Sequence, residues 1–210
     1  METSKEHYFT VNRDGKKVVF TKGNLQIKRR PFEWRIAEHQ YDVLDTDSKW
    51  EDLVEFRYTK KNYGSFRVLT NEEWVYIIET RANARNKWGL ASLADLNGII
   101  LLPDNWVSPA GCDFAAGYSY EYETNVYTIE EWELMQKAGA IFLPAAGFCC
   151  LSSNDQVNKY GYYWSSAPAS MLRYSANTSG YTFGFGKDFV KESREWGLSQ
   201  QSIRLVQDID

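Results

Sequence analysis

Residues 128–144 read Thr128-Ile129-Glu130-Glu131-Trp132-Glu133-Leu134-Met135-Gln136-Lys137-Ala138-Gly139-Ala140-Ile141-Phe142-Leu143-Pro144. They hold a complete helix-then-strand unit. Thr128 with Glu131 three residues on is a capping box, in which the threonine hydroxyl accepts from the Glu131 amide while the glutamate reaches back. Trp132 and Met135, continued by Gln136, fall on one helical face, and Gly139 stops the helix. Negative charge at Glu130 and Glu131 complements the macrodipole in the first turn. Ala140 to Pro144 is then a short apolar strand ending in Leu-Pro. An earlier unit echoes this one. Thr70-Asn71-Glu72-Glu73-Trp74 is a second capping box, Trp74, Ile77 and Ile78 share a face, and Ile99-Ile100-Leu101-Leu102-Pro103 is a second apolar strand. Two copies make no solenoid. The expectation is an α+β domain, with a pair of helices beside a mostly antiparallel sheet.

Upstream of these units the chain reads as strands. Tyr8-Phe9-Thr10-Val11 and Lys17-Val18-Val19-Phe20 flank Asn12-Arg13-Asp14-Gly15, whose Asp-Gly pair signals a hairpin. Further strands are expected over Asn24 to Ile27 and Trp34 to Ala37, and the polar stretch from Asp42 to Tyr63 as a long excursion. Lys28-Arg29-Arg30, followed by Pro31, is read as a solvated turn. Downstream, from Leu151 on, the chain is rich in Ser, Asn, Gly and Tyr. Between Tyr163 and Gln201 its composition is that of adaptable contact loops, and Ser202-Ile203-Arg204-Leu205-Val206 alternates as a closing strand. No Pro-rich or charge-rich linker divides the chain, which is expected to form one domain over residues 1–210.

Composition narrows the function. The chain is 43% hydrophobic and 25% charged, and its 16% aromatic content, with more Tyr than Phe, suits both a packed core and a contact surface. A net charge of -4 argues against nucleic-acid binding, which needs excess Lys and Arg to displace counterions from phosphate. No run of about 18 apolar residues predicts membrane insertion. Met1 to His7 is polar and is not an apolar signal segment, so the chain either is used without secretion or has had a leader removed. Three cysteines, Cys112, Cys149 and Cys150, make a poor disulfide framework and are expected as buried thiols; a bridge from Cys112 to either neighbour is the alternative in an oxidising compartment.

Motifs for chemistry are sparse. His7 and His39 have no companion at metal spacing. Asp45-Thr46-Asp47-Ser48 opens like a calcium loop, but Lys49 sits at a ligand position, Trp50 replaces the glycine and Phe56 the closing glutamate. Gly180-Tyr181-Thr182-Phe183-Gly184-Phe185-Gly186-Lys187 misses phosphate-loop spacing by one, and Asp188 stands where Ser or Thr would be needed. Its glycines are expected to let aromatic side chains pack. The carboxylate pairs Glu121 and Glu123, and Glu192 and Glu195, lie in polar stretches with no mark of a glycosidase pair. Asn177-Thr178-Ser179 fits a glycosylation sequon. No catalytic residue, metal or cofactor is expected.

Several phrases in order carry a resemblance: Val18 to Gln26, Trp34 to Asp42, Leu69 to Trp74, Leu101 to Trp106, Gly139 to Gly147, Gly161-Tyr162-Tyr163-Trp164-Ser165-Ser166 and Ser202 to Val206. Together they resemble bacterial surface or phage-borne proteins with a C-type-lectin-like domain. Relatives of that family include the formylglycine-generating-enzyme subgroup and the variable proteins of diversity-generating retroelements. The resemblance implies a C-type-lectin-like fold, two helices packed on twisted, mostly antiparallel sheets with long loops forming a recognition face. It puts the diversified segment at residues 167–201, with Trp164, Ile203 and Leu205 as scaffold. The ligand-binding role would fall on Arg173, Tyr174, Asn177, Ser179, Tyr181, Phe183, Phe185, Arg194 and Trp196. Tyr181, Phe183 and Phe185 also alternate as a half-buried strand would, so a core role stays open for each. Two departures limit what carries over. The calcium-dependent sugar signatures Glu-Pro-Asn and Trp-Asn-Asp are absent, and no cysteine follows Cys150 to serve a formylglycine-generating active site.

The function expected is non-enzymatic ligand binding and display on a cell surface or virion, diversified by a retroelement. The partner would be a protein or a glycan on another cell or virion. The alternative is a fixed adhesin or glycan-binding accessory domain, and a third reading, an oxidase-type enzyme, would need a reactive thiol at Cys149 or Cys150.

Overall fold

The computed structural model describes residues 7–29, 32–43, 66–117, 120–148, 156–168, 179–196 and 201–209. Over these residues the chain is α+β, with two short α-helices and mostly antiparallel strands. Strand β1 (Phe9–Thr10) pairs with β2 (Lys17–Phe20). Their turn is closed by the Asn12 side chain, whose Oδ1 accepts from the Lys16 amide at 2.9 Å, and by Gly15 at φ +81°. Only glycine takes that left-handed backbone without steric cost, which is why Asp-Gly marked this hairpin. Strands β3 (Leu25–Arg29) and β4 (Phe32–Ile36) form a separate ribbon with Arg29 opposite Phe32. This corrects the expected turn at Lys28-Arg29-Arg30: pairing with β4 keeps Lys28 and Arg29 in the strand, and Arg30 and Pro31 lie outside the described residues. The expected excursion from Asp42 to Tyr63 also falls outside them beyond Val43.

After β5 (Phe66–Val68) comes helix α1 (Asn71–Val75), continued by a π-helical turn over Tyr76–Thr80. The Thr70 capping box forms as expected, with the Glu73 amide donating to Thr70 Oγ1 at 3.2 Å and the Thr70 amide donating to Glu73 Oε2 at 2.8 Å. Trp74, Ile77 and Ile78 are buried. Helix α2 (Ile129–Lys137) repeats the device through Thr128 and Glu131, buries Trp132 and Met135, and ends at Gly139, φ +93°. Between the helices, β6 (Trp88–Leu93) and β7 (Leu96–Leu101) make a hairpin around Ala94-Asp95, both at positive φ. With β8 (Val126–Tyr127) and β9 (Ile141–Pro144) they form a sheet in the order β8-β6-β7-β9, in which only β8 and β6 run parallel.

The last third departs most from expectation. Instead of loops, β10 (Tyr160–Pro168), β11 (Ser179–Gly186) and β12 (Phe189–Trp196) build a long antiparallel sheet. Its Tyr, Gly and Ser content suits loops by composition, but here glycines and aromatics alternate across strand pairs, which lets rings lie over bare backbone. The closing strand β13 is Leu205–Ile209, three residues later than the alternation of Ser202 to Val206 predicts. Residues 202–205 instead thread through the interior: the Trp164 amide donates to the Ser202 carbonyl at 3.0 Å, and the Leu25 amide to that of Ile203 at 2.8 Å. Strand β13 then lies between β2 and β5, in the order β1-β2-β13-β5, joining the first strands to the last. A central core holds Phe9, Phe20, Trp74, Tyr163, Phe183 and Phe185; a second core packs under α2, and a third surrounds Trp164. Among the described residues no helix is long and apolar enough to cross a membrane.

Candidate functional site

The β10–β12 sheet is fastened on its inner face. Inner side chains leave little freedom. Trp74 of α1 stacks on Phe183 with ring centroids 4.8 Å apart, and Tyr163 stacks on Phe185 at 6.2 Å. The Tyr163 hydroxyl donates to the Pro144 carbonyl at 3.1 Å and accepts from Asn24 Nδ2 at 3.3 Å; burial pushes its pKa up to about 12. Ser165 Oγ ties β10 to β11 through the Tyr181 carbonyl at 2.8 Å.

This anchoring decides the placement of the expected ligand-binding residues. Phe183 and Phe185 are 1% and 0% exposed, stacked inside the core, so the recognition role implied for them is corrected to a packing role. Alternation along the strand was the right guide there. Tyr181 is half-buried. The strand register sets Tyr181 opposite Arg194 and Ser179 opposite Trp196, while Pro168 pairs with Gly180. Arg173, Tyr174 and Asn177 lie outside the described residues. The register thus brings Ser179, Tyr181, Arg194 and Trp196 to one sheet end.

At the opposite end the glycines of 180–187 let aromatic side chains pack, as expected, though on paired strands and not on loops. Gly186 faces Tyr160 on β10 and Phe189 on β12, and Gly184 faces Tyr162 and Lys191. Directly opposed residues share a face of an antiparallel sheet, so three rings converge over two glycines. A methyl group on Gly186 would come within 2.2 Å of the Tyr160 ring, and one on Gly184 within 2.9 Å of Phe189 and 3.2 Å of Tyr162. The rings therefore rest on the backbone. Tyr160 and Phe189 lie within 14° of parallel at 5.7 Å, Tyr162 adjoins both, and Phe148 meets Tyr162 edge-on at 5.4 Å. All four are half-buried. Gly-x-Gly opposite aromatic strand positions was the available signal.

Polar groups rim this aromatic plate. The Tyr160 hydroxyl donates to Asp188 Oδ2 at 2.7 Å, and that bond to a carboxylate raises the Tyr160 pKa. At the β11–β12 turn Lys187 reaches Glu121 at 3.0 Å and Glu123 at 3.1 Å, so this carboxylate pair is bridged by an ammonium. The Lys187 pKa rises through those two hydrogen bonds. Cys112 is a buried free thiol whose pKa burial raises, the reverse of an activated nucleophile. Cys149 and Cys150 lie outside the described residues. Among the described residues no group of three or more His, Cys, Asp or Glu side chains is placed to hold a metal. No family profile, curated protein or solved structure matches the chain.

Proposed function

We propose that the chain is a non-enzymatic ligand-display protein with a C-type-lectin-like fold, working at a cell surface or virion and diversified by a retroelement. The observation that supports this reading is the register of β11 and β12, which brings four of the nine implied recognition positions, Ser179, Tyr181, Arg194 and Trp196, to one sheet end while Tyr163, Trp164, Phe183 and Phe185 are packed in the core. Separating changeable positions from the packed ones lets the partner change without unfolding the scaffold. Deep sequencing of the coding locus and its flanks in a natural population tests it. The expected result is substitution at adenines within codons 167–181 and 193–201, with Thr182 to Gly186 unvarying and a template repeat nearby. An unvarying segment without a template overturns diversification.

The aromatic plate favours a second reading, a fixed glycan-binding domain. The cluster offers four half-buried rings beside carboxylate and ammonium groups, and the apolar CH face of an equatorially linked sugar chain stacks on aromatic rings while such charged groups bond its hydroxyls. Calorimetric titration with cellohexaose and chitohexaose is the test. Saturable binding lost in Tyr160→Ala and Tyr162→Ala, but kept in Tyr181→Ala, supports the fixed domain. Binding of neither sugar removes the observation that favours it.

A further inference from the structure

A cleft lies away from both ends of the β10–β12 sheet, between the β1–β2 hairpin, the end of the π-helical turn and the loop after β7. Its volume is about 300 Å³, near the lower limit for small-molecule sites, and Tyr8, Lys17, Tyr76, Arg81, Lys87 and Asp104 line it. Both oxygens of the one carboxylate here are engaged. Asp104 Oδ1 accepts from Arg81 at 3.0 Å, and Oδ2 accepts from the Thr10 amide at 2.7 Å. Arg81 is likewise spent on Asp104 and on the Ile77 carbonyl at 2.8 Å, with its side chain 1% exposed. Arg81 and Asp104 thus form a neutral, rigid floor.

Two ammonium groups remain above that floor. Lys87 donates to the carbonyls of Pro103 at 3.0 Å and Asp104 at 2.8 Å, which leaves its third N–H for another acceptor. Lys17 sits 4.2 Å from the centroid of the Tyr8 ring, and among the described residues no carboxylate pairs with it. In a chain whose overall charge is -4, this cleft gathers three cations against one anion. Burial, reinforced by Arg81, lowers the Lys87 pKa, so its charged form is under-solvated as it stands. An incoming anion would relieve that deficit through charge-assisted hydrogen bonds.

We propose that this cleft binds a small molecule headed by a compact oxyanion, phosphate or carboxylate, held between Lys17 and Lys87 with its body against Tyr8 and Tyr76. Oxyanion chemistry follows from the Lys17 ammonium and the remaining N–H of Lys87, and the volume exceeds that of a bare anion. Isotope-labelled protein titrated with inorganic phosphate, phenyl phosphate and benzoate, followed by amide chemical shifts, tests the site. The expected result is saturable shifts confined to residues 8–10, 17, 76, 81–87 and 104, with phenyl phosphate tighter than inorganic phosphate because of the tyrosine walls. Benzoate against phenyl phosphate decides which head group is preferred. Lys17→Gln should weaken binding about tenfold or more, as loss of a charge-assisted bond implies. Lys17→Arg should retain it, and Lys159→Gln, next to Asn158 at the end of β6 opposite Lys87, should leave it unchanged. Among the described residues Lys17 anchors no backbone carbonyl, so its variants keep the fold while Lys87→Gln serves only as support. Shifts that fail to saturate through the millimolar range, that spread over surface lysines, or that survive Lys17→Gln overturn the proposal.

Discussion

Arg204 shows how a single residue can escape a reading of local pattern. In Ser202-Ile203-Arg204-Leu205-Val206 the alternation points Arg204 to solvent, yet every residue of the phrase is buried and Arg204 is 0% exposed. Alternation assumes one wet face, whereas residues 202–205 pass between β10 and the β2–β3 connection and have protein on both sides. The guanidinium is satisfied by neutral oxygens: Asn24 Oδ1 at 2.8 Å, the Phe142 carbonyl at 2.9 Å, the Thr21 carbonyl at 3.2 Å, and Gln40 Oε1 at 3.4 Å. Burial lowers its pKa to about 10, with nearby Tyr163 opposing the shift, so the cation persists at neutral pH. Four chain segments are tied by one side chain. Arg204→Met removes the charge but strands those oxygens in the interior, where each unpaired group costs about 1–3 kcal/mol. We expect a loss of about 3–5 kcal/mol in urea unfolding, and about 2 kcal/mol for Arg204→Lys, which keeps charge without the fork. A change under about 1 kcal/mol for the methionine variant would show that these oxygens find other partners.

Among the elements, legibility followed sequence locality. Both capping boxes, the Asn12–Gly15 turn and the stop at Gly139 were readable because each is decided within a few residues. The Ala94-Asp95 turn was not. A two-residue hairpin turn with both residues at positive φ normally advertises itself by Asn or Gly, and here Ala94 at φ 47° and Asp95 at φ 68° stand instead, supported from outside by Asn158 Nδ2 donating to the Asp95 carbonyl at 3.0 Å. Strands β10 and β11 were hidden differently, since glycine is a poor strand former by propensity but the pairing of Gly161 with Phe185 makes it a socket. A methyl group at Gly161 would come within 2.1 Å of the Phe185 ring, which is fully buried and has nowhere to go. At Gly184 the obstructing rings of Phe189 and Tyr162 are half-buried and can tilt outward. Gly161→Ala should therefore cost about 3 kcal/mol, at the upper end for overpacking, and Gly184→Ala about 1 kcal/mol. Thermal unfolding of the two variants side by side checks the order. A larger loss at Gly184 would mean that the plate, and not the inner face, sets the spacing of this sheet.

At the scale of the whole molecule, the sequence read the class of the fold and not its wiring. Setting β13 between β2 and β5 requires partners far apart in the chain, and no local pattern specifies which edge a late strand will seek. Side-chain charge helps to fix that choice. Arg67 on β5 donates to Asp208 on β13 at 2.8 Å and to Glu73 of α1 at 2.6 Å and 2.7 Å, while Lys16, beside β2, lies 3.2 Å from Asp208. Three strands and a helix from both ends of the chain meet in this one network. Burial alone would raise the Asp208 pKa, but hydrogen bonding and charge from Arg67, with Lys16, outweigh it and hold the carboxyl below its ordinary range. An aspartate with a lower pKa in the folded state stabilises fully above its unfolded value of about 3.9. As pH falls through that value toward the folded one, the unfolded chain takes up its proton first and the stabilisation drains away. Asp208 is 42% exposed, so solvent and salt screening keep the contribution small. Asp208→Asn should therefore be modestly less stable than the native chain at neutral pH, with the gap closing as pH falls below about 4 and shrinking with added salt. Urea midpoints of both proteins across that range make the comparison. A gap that persists unchanged into acid would assign the role of Asp208 to shape or hydrogen bonding, and would leave the docking of β13 to the apolar contacts of Leu205 and Val206 alone.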